Sequence, residues 1–407
     1  MQLLEFLQLF EFLLSTFTSY TVLVVLCGSA LLGAGAGAIG AYLYVSRQSL
    51  LSDAITHATL PGVCAGFLIM LYLGGTGRWL PGLMIGAFVS AGFGAFLVFW
   101  TDKNTRLGQE AAIGAVLSVF FGFGVVLLTL IQAIPFGQRA GLEVFLFGSI
   151  AGMQRADLWW LIFCALAALL LVLALHRALT LTSFDLPYAQ SLGFRVNFVQ
   201  LTLLFLVLLI VVTGMRFVGL VLIVALLIIP AAAARLWSIH MGSFVALAAL
   251  FGSASAVVGV LLSASIAKAP TGAVIVLCSF VVFVVSLLAS PKRGLVAHLL
   301  AARRLMVRVH KRQGLLAMAR RELIFDPFTR KVLRRAGLMR ADGEPTSVGL
   351  RAAADALHQE KLTVLARKTY CDDALVQRLD GLRPLHHLLT QDQVSGLEEQ
   401  LRMQQDA

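Results

Sequence analysis

Long apolar segments separated by short polar connections fill the first 290 residues of the chain. A helix that crosses the hydrocarbon core of a bilayer needs about 20 mainly apolar residues. Little more than Met215 and Arg216 separates the sixth such segment from the seventh, so one of them is expected to be short or broken. The nine segments are 20–45, 53–73, 80–100, 111–134, 157–175, 198–214, 217–235, 241–264 and 271–290. The pattern predicts an all-α polytopic membrane protein with eight or nine transmembrane helices.

The chain changes character after Ser290, where charged and helix-forming residues replace the apolar segments. We expect four parts: an amphipathic lead-in at 1–19, a transmembrane domain at 20–290, a basic juxtamembrane helix at 291–321, and a small, mainly helical cytosolic domain at 322–407. The basic helix predicts contact with the anionic headgroups of membrane lipids, and a solvated helix without a lipid role is the alternative.

Composition and charge support a membrane protein with a cytosolic C-terminus. Hydrophobic residues make up 59% of the chain, charged residues 13%, and the mean hydropathy is +0.89, which excludes an ordinary soluble domain. Basic residues concentrate in alternate connections, and the positive-inside rule assigns that side to the cytoplasm. The five cysteines show no pairing pattern, so no disulfide framework is predicted.

Small residues cluster in two of the apolar segments. Such faces let helices approach closely, because lipid offers no hydrophobic drive for association. The clusters are Gly33, Gly35, Gly37 and Gly40 in the first segment, and Gly252, Ser255, Gly259 and Ser263 in the eighth. They predict a tightly packed bundle.

Asp53 and His57 place a carboxylate and an imidazole one helical turn apart in a strongly apolar sequence. Ionisable groups are costly there and are functional by default. The two positions fall within about 40° of each other on a helix, with Cys64 on the same face. Pro61 cannot donate to the carbonyl of His57 and is expected to kink the helix, as is Pro230 further on. These donors predict a path for a divalent cation; an N-cap aspartate with a packed histidine, and a packed cysteine, are the alternatives.

The polar connection between the fifth and sixth segments predicts a short helix outside the bilayer. Asp185 and Pro187 are start signals, and Gly193 is a stop signal. Such a helix could dock into a partner or lie idle on the surface. The chain has no Gly-x4-Gly-Lys-Ser/Thr loop, so any ATP hydrolysis is expected in another chain.

Several motifs, in the same order along about 20–290, resemble the integral-membrane permeases of bacterial zinc, manganese and iron ABC importers. The stretch 47–62 resembles their Arg-x-x-Ser-Leu-x-Gly-Asp-Ala-x-x-His-Ala-x-Leu-Pro-Gly signature, with Ser52 where Gly is usual. Gln109, where a carboxylate is common, and Lys268 are further departures. The other matching stretches are 109–114, 145–150 with 157–158, 218–220 with 229–235, and 270–277.

The resemblance implies that the chain is the permease of an ATP-driven importer of zinc, manganese or iron in the bacterial cytoplasmic membrane. It implies a homodimer with Asp53 and His57 on the metal path, a cytosolic ATPase dimer, an extracytoplasmic metal-binding protein, and no permanently bound cofactor. It also implies that one connection is the coupling helix to the ATPase. The residues of that helix are Asp185, Pro187, Ala189, Gly193 and Arg195.

The tail resembles a different family. Residues 333–350 resemble the recognition helix and wing of a winged helix-turn-helix, and 380–397 a segment of iron-dependent (DtxR-type) repressors. His386 and His387 are candidate regulatory metal ligands, with packed or solvated histidines as the alternative. Genomic DNA is a poor partner for a domain fixed to the membrane, so nucleic acid is not expected and a regulatory or protein-contact role is favoured.

Two other functions remain open from the sequence. An ion-coupled secondary carrier would also need ionisable groups at membrane depth, but the Asp-x3-His helix has no internal repeat. A membrane-anchored metal sensor or regulator would rest on the winged-helix-like tail.

Overall fold

The computed structural model describes residues 20–74, 79–133, 155–265, 270–291, 293–369, 385 and 388–406. They divide into two compact units, Met1–Leu295 and Val296–Ala407, which we call the membrane unit and the tail unit. The predicted lead-in at 1–19, Lys268, His386 and His387 lie outside the described residues.

The membrane unit is all-α throughout its described residues, as predicted. Prolines occupy the first turns of α3 and α7, where a missing backbone N–H costs nothing. The helices are α1 Tyr20–Val45, α2 Ser49–Tyr72, α3 Leu80–Asn104, α4 Gln109–Ala133, α5 Arg155–Ala174, α6 His176–Phe184, α7 Leu186–Ser191, α8 Val196–Val218, α9 Leu220–Trp237, α10 Met241–Ser265 and α11 Thr271–Ala289.

The prediction of nine spans is corrected to seven or eight. Among the described residues, seven helices are long and apolar enough to cross a membrane. An eighth span results if α5 and α6, which bend by 70° at their junction, count as one. In place of the predicted span 217–235, the described residues hold a shorter apolar helix, Leu222–Trp237. Gly219 separates α8 from α9 with a φ of 99° that favours glycine. The eight-span alternative therefore agrees with the structure.

Helix α1 packs against α10 through bare backbone. A Cβ atom on Gly33 would collide with the carbonyl of Gly252, and one on Gly37 with the carbonyl of Ala248. Gly259 lies equally close to Ile275 of α11. The close packing predicted from the small residues is confirmed at these positions.

Helix α2 packs against α3 and α4 in the same way. A Cβ on Gly62 of α2 would collide with the carbonyl of Gly86 of α3, and the reverse also holds. Leu60, Val63 and Phe67 of α2 form a buried cluster with neighbouring helices. In contrast, α4 and α11 bury only 22% of their spanning residues, so most of their surface is free to face lipid or another subunit.

The tail unit contains α12 Leu295–Ala319, α13 Pro327–Arg335, α14 Ser347–Thr369 and α15 Gln391–Asp406. Gly314 and Leu315 of α12 are buried, and Leu315 shares a core cluster with Leu333 of α13. Most of the basic juxtamembrane segment predicted at 291–321 forms the helix α12, and the second half of this helix is part of the core. Between α13 and α14 the chain makes a tight turn with an isolated antiparallel bridge between Met339 and Pro345. The described residues thus hold no two-stranded wing, and the winged-helix resemblance stays a prediction.

Candidate functional site

Asp53 lies inside α2 rather than at its start. The helix begins at Ser49, and its N-cap position is Gln48, which makes no side-chain capping hydrogen bond. Before it, Arg47 turns the chain with a φ of 57°. Asp53 therefore belongs to the second helical turn, which excludes the alternative that it is an N-cap.

Asp53 and His57 form a pair on one face of α2. The Nε2 atom of His57 lies 3.4 Å from Oδ1 of Asp53, and their side chains are 16% and 38% exposed. The ring of Phe121, from α4, meets the imidazole edge-on with ring centroids 4.9 Å apart. The Nδ1 atom of His57 is buried and has no hydrogen-bond partner. Buried polar atoms in native proteins nearly always have a partner, so this one points to an absent ligand or water.

Pro61 changes the hydrogen bonding next to this pair. The helix continues through it, but its ring nitrogen cannot donate to the carbonyl of His57. The next carbonyl, that of Ala58, accepts a hydrogen bond of 2.7 Å from Oγ of Ser90 in α3. Pro230 likewise lies inside an uninterrupted helix, α9. Ser90 thus supports the turn that carries His57, and no sequence spacing could reveal a contact between two different helices.

Cys64 does not lie next to the donor atoms of Asp53 and His57. Its side chain is fully buried, and its thiol lies 3.8 Å from the carbonyl oxygen of Gly124 in α4. Across the described ranges, no three His, Cys, Asp or Glu side chains are grouped so that they could hold a metal ion. The structure therefore brings together Asp53 and His57, and the surroundings of Cys64 favour the packing alternative.

The short helix α7 begins and ends where the sequence predicts. The carboxylate of Asp185 accepts a hydrogen bond from the backbone N–H of Tyr188, and Pro187 occupies the first turn. After the helix, Gly193 adopts a φ of 82°, and the N–H of Phe194 bonds back to the carbonyl of Ala189. This is the arrangement that closes a helix with a left-handed residue.

Large side chains on and beside α7 are exposed. Ala189 is fully buried and fixes one side of the helix against the bundle. Leu186, Tyr188 and Leu192 are 39%, 53% and 51% exposed. Arg195 follows at the N-cap of α8. Clustered exposed apolar side chains on a soluble surface mark interaction sites.

A part-buried hydrogen bond ties α6, which leads into α7, to α1. The hydroxyl of Tyr42 lies 2.6 Å from Nδ1 of His176, the first residue of α6. Tyr42 is fully buried, and His176 is partly exposed. No sequence pattern reveals this pair, because 134 residues separate its members.

The described residues of the membrane unit thus form an all-helical bundle, with a carboxylate–imidazole pair inside one candidate span and a capped helix between two others. The sequence profile of the ABC 3 transport family matches residues 18–290. The chain therefore belongs to this family and is a permease subunit rather than an enzyme. The family match ends before the tail unit.

Relatives of known name agree with this assignment. The chain is 37% identical over 295 residues to the manganese transport system membrane protein MntC of Bacillus subtilis, a match that covers 72% of this chain and 66% of that protein. It is also 37% identical to the zinc transport system membrane protein TroC of Treponema pallidum, covering 72% and 96%. Among solved structures, PsaBC from Streptococcus pneumoniae in complex with Fab matches with a TM-score of 0.60 and 31% identity, covering 70% of this chain and 96% of that one.

Proposed function

We propose that this chain forms the translocation path of an ATP-driven importer of a divalent transition metal ion in the bacterial cytoplasmic membrane. The observation that carries the proposal is the Asp53–His57 pair, in which Nε2 of the imidazole and a carboxylate oxygen lie 3.4 Å apart inside a spanning helix. The relatives' names favour manganese or zinc, and iron accepts the same donors.

The geometry of the pair suits a metal ion. If an ion lay about 2.1 Å from both His57 Nε2 and Asp53 Oδ1, the angle between its bonds to these two atoms would be about 108°, which is close to tetrahedral. Two ligands are few enough to release the ion, yet too few to replace its hydration shell. Further donors must then come from water or from a second subunit.

A homodimer would complete the path. Asp53 is 38% exposed on the single subunit, although it lies inside a helix that is long enough to span the bilayer. A carboxylate in that place faces a water-filled cavity or another protein rather than lipid. If the same face meets its copy across a two-fold axis, two aspartates and two histidines converge on one ion.

The helix α7 would couple this path to a cytosolic ATPase dimer. Its exposed Leu186, Tyr188 and Leu192 provide an apolar surface for the ATPase, and its caps keep it rigid. The chain has no phosphate-binding loop of its own. An extracytoplasmic metal-binding protein would deliver the ion on the opposite side, with the C-terminus in the cytosol as the basic connections predict.

The tail unit would regulate or assemble the importer. Its helix–turn–helix arrangement and tight turn are compatible with a degenerate winged helix, but a membrane-fixed domain is poorly placed to reach genomic operators. A protein contact is the role that we favour, and nucleic acid is not an expected partner.

Metal accumulation tests the main proposal. Cells lacking other importers would express the chain with its neighbouring ATPase and binding protein, and Mn, Zn and Fe uptake would be measured separately. We expect accumulation of manganese or zinc, and loss of it with a hydrolysis-deficient ATPase. No accumulation of any metal would overturn the proposal, and uptake that persists with the inactive ATPase would favour a secondary carrier.

Variants of α7 test the coupling assignment. Gly193→Val forces a β-branched residue into a left-handed conformation, and Asp185→Ala with Arg195→Ala removes the cap and its neighbour. We expect ATP hydrolysis that no longer drives uptake, at normal membrane abundance. Gly108→Val is the matched control, because a Cβ there meets open space. Normal metal uptake per ATP in the Gly193 and Asp185 variants would refute the assignment.

A further inference from the structure

The first half of α12 follows directly after the last spanning helix along the chain. The last spanning helix, α11, ends at Ala289, and Gly294 donates a backbone hydrogen bond of 3.0 Å to the carbonyl of Ser290. The hydroxyl of Ser290 in turn donates to the carbonyl of Leu236 near the end of α9, at 2.6 Å. This anchored turn holds the start of α12 within a few residues of the ends of two membrane helices.

The same half of α12 exposes an apolar face that is not part of the core of the tail unit. Leu295, Val296, Leu299, Leu300 and Met306 are 48–59% exposed. At 100° per residue, these five positions fall within a sector of about 140°. Leu305, which is 51% exposed, lies outside that sector. Large apolar side chains on one face of a helix that begins at the bilayer edge require an apolar environment.

Basic residues occupy the flank of this face. Arg304, Arg308 and Lys311 are exposed and follow one another at spacings of four and three, which places them on one stripe. Arg303 lies within the apolar sector, where a long side chain can extend its charge to the headgroups. The segment 295–321 contains no Asp or Glu. A second copy of the same segment would be repelled by this charge, so the complementary partner is an anionic surface.

We propose that residues 295–308 form an interfacial helix that lies on the cytoplasmic leaflet and binds anionic phospholipids. The apolar face enters the boundary between headgroups and acyl chains, and the basic stripe contacts lipid phosphates. Because the second half of α12 is buried in the tail core through Gly314 and Leu315, the same helix transmits the lipid composition of the membrane to the tail unit.

Hydrogen exchange of the full-length protein in lipid nanodiscs tests this proposal. One set of nanodiscs would contain phosphatidylcholine alone, and the other a mixture with phosphatidylglycerol. A basic side chain near an anionic leaflet contributes about 1 kcal/mol, so each charge changes occupancy by about fivefold. We expect exchange of the 295–308 peptides to be at least about fivefold slower in the anionic nanodiscs.

Charge-reversal variants test whether the basic stripe is the part of α12 that binds anionic lipid. Arg304→Glu with Arg308→Glu and Lys311→Glu should abolish the difference between the two lipids. The matched control reverses the same number of positive charges elsewhere in the tail unit, with Arg335→Glu, Arg351→Glu and Lys361→Glu. These three side chains are all exposed, and this variant should behave as the wild type. Unchanged exchange in 327–369 would show that both variants remain folded. If the 295–308 peptides of the wild type exchange equally fast in both kinds of nanodisc, the proposal is wrong. This holds whether the apolar face is then exposed to water or covered by another copy of the chain.

Discussion

The membrane unit and the tail unit each contain an aspartate paired with a histidine. The two pairs differ in how many of their polar atoms have hydrogen-bond partners. In the tail, Nδ1 of His310 lies 3.1 Å from Oδ2 of Asp326 and 2.9 Å from the hydroxyl of Thr329. The same carboxylate caps α13 by accepting the N–H of Thr329 at 2.8 Å. In the membrane, Nδ1 of His57 has no partner, and Asp53 contacts only the imidazole among the described residues.

The comparison shows that residue type does not distinguish a structural pair from a functional one. Both imidazoles even meet a phenylalanine ring edge-on, Phe121 at 4.9 Å and Phe328 at 5.0 Å between centroids. What differs is the hydrogen bonding. The Asp326 carboxylate accepts hydrogen bonds from backbone N–H groups at the start of α13, whereas the Asp53 carboxylate has free lone pairs. Unused donor atoms inside a span are the better indicator of a ligand site.

Removing either member of the membrane pair should have the largest effect. We expect Asp53→Ala and His57→Ala to reduce metal uptake to the background of cells without the chain, because each removes one of the two ligands that we propose. His310→Ala and Asp326→Ala should leave uptake close to the wild-type rate, since that pair serves the tail fold. Metal accumulation at matched membrane abundance measures both. Normal uptake in the membrane-pair variants would show that the pair is structural.

Removing only the charge of Asp53 should have a smaller but clear effect. Asp53→Asn keeps the shape and one carbonyl oxygen, so folding should be unaffected. We expect uptake to fall by at least about tenfold, the factor that corresponds to a lost contact of about 1.4 kcal/mol. Initial uptake rates over a range of metal concentrations would measure it. A rate equal to that of the wild type would mean that the carboxylate charge has no part in binding the ion.

Replacing Cys64 should affect stability more than transport. Cys64→Ala removes a buried sulfur that contacts Gly124, so we expect a loss of about 1 kcal/mol in stability from the small cavity. Metal uptake and the preference among Mn, Zn and Fe should stay unchanged. Thermal unfolding of the purified protein and uptake assays would check both expectations. A selective loss of zinc uptake would instead make Cys64 a ligand.

The smallest effect is expected in the tail, at acid pH. Hydrogen bonds from the side chain and backbone of Thr329 lower the pKa of Asp326. The folded carboxyl thus has a lower pKa than the unfolded one, so its stabilisation is present above the unfolded pKa and lost as the pH falls through the folded pKa. In a His310→Gln background, the protection factors of the α13 amides, which are exchange rates corrected for the intrinsic effect of pH, should fall on acidification. Adding Asp326→Asn should remove that pH dependence, and an unchanged profile would contradict the capping role.

Much of the fold could be predicted from the sequence because it depends on local signals. Hydropathy identified the spans, and Asp185, Pro187 and Gly193 located α7 within a residue or two. Hydropathy put the break between the sixth and seventh segments at Met215 and Arg216, whereas the structure has it at Gly219, because the break depends on one backbone conformation that hydropathy does not register.

The candidate site was less completely predictable. Helical spacing placed Asp53 and His57 on one face, and the structure confirms that they meet. The same spacing put Cys64 with them, but contacts with α4 decide where its thiol points. The contribution of Ser90 and the ring of Phe121 depends on how three helices pack, and no pattern within one segment contains that information.

The glycine contacts between α1 and α10, and between α2 and α3, have a consequence for motion. Where two backbones touch, neither helix can slide or rotate without breaking contact along its length, because no side chain is present to adjust. Each pair should therefore move as one rigid body during the transport cycle. The turn at Arg47, with a φ of 57°, is the chain connection between the two pairs, since it joins α1 to α2.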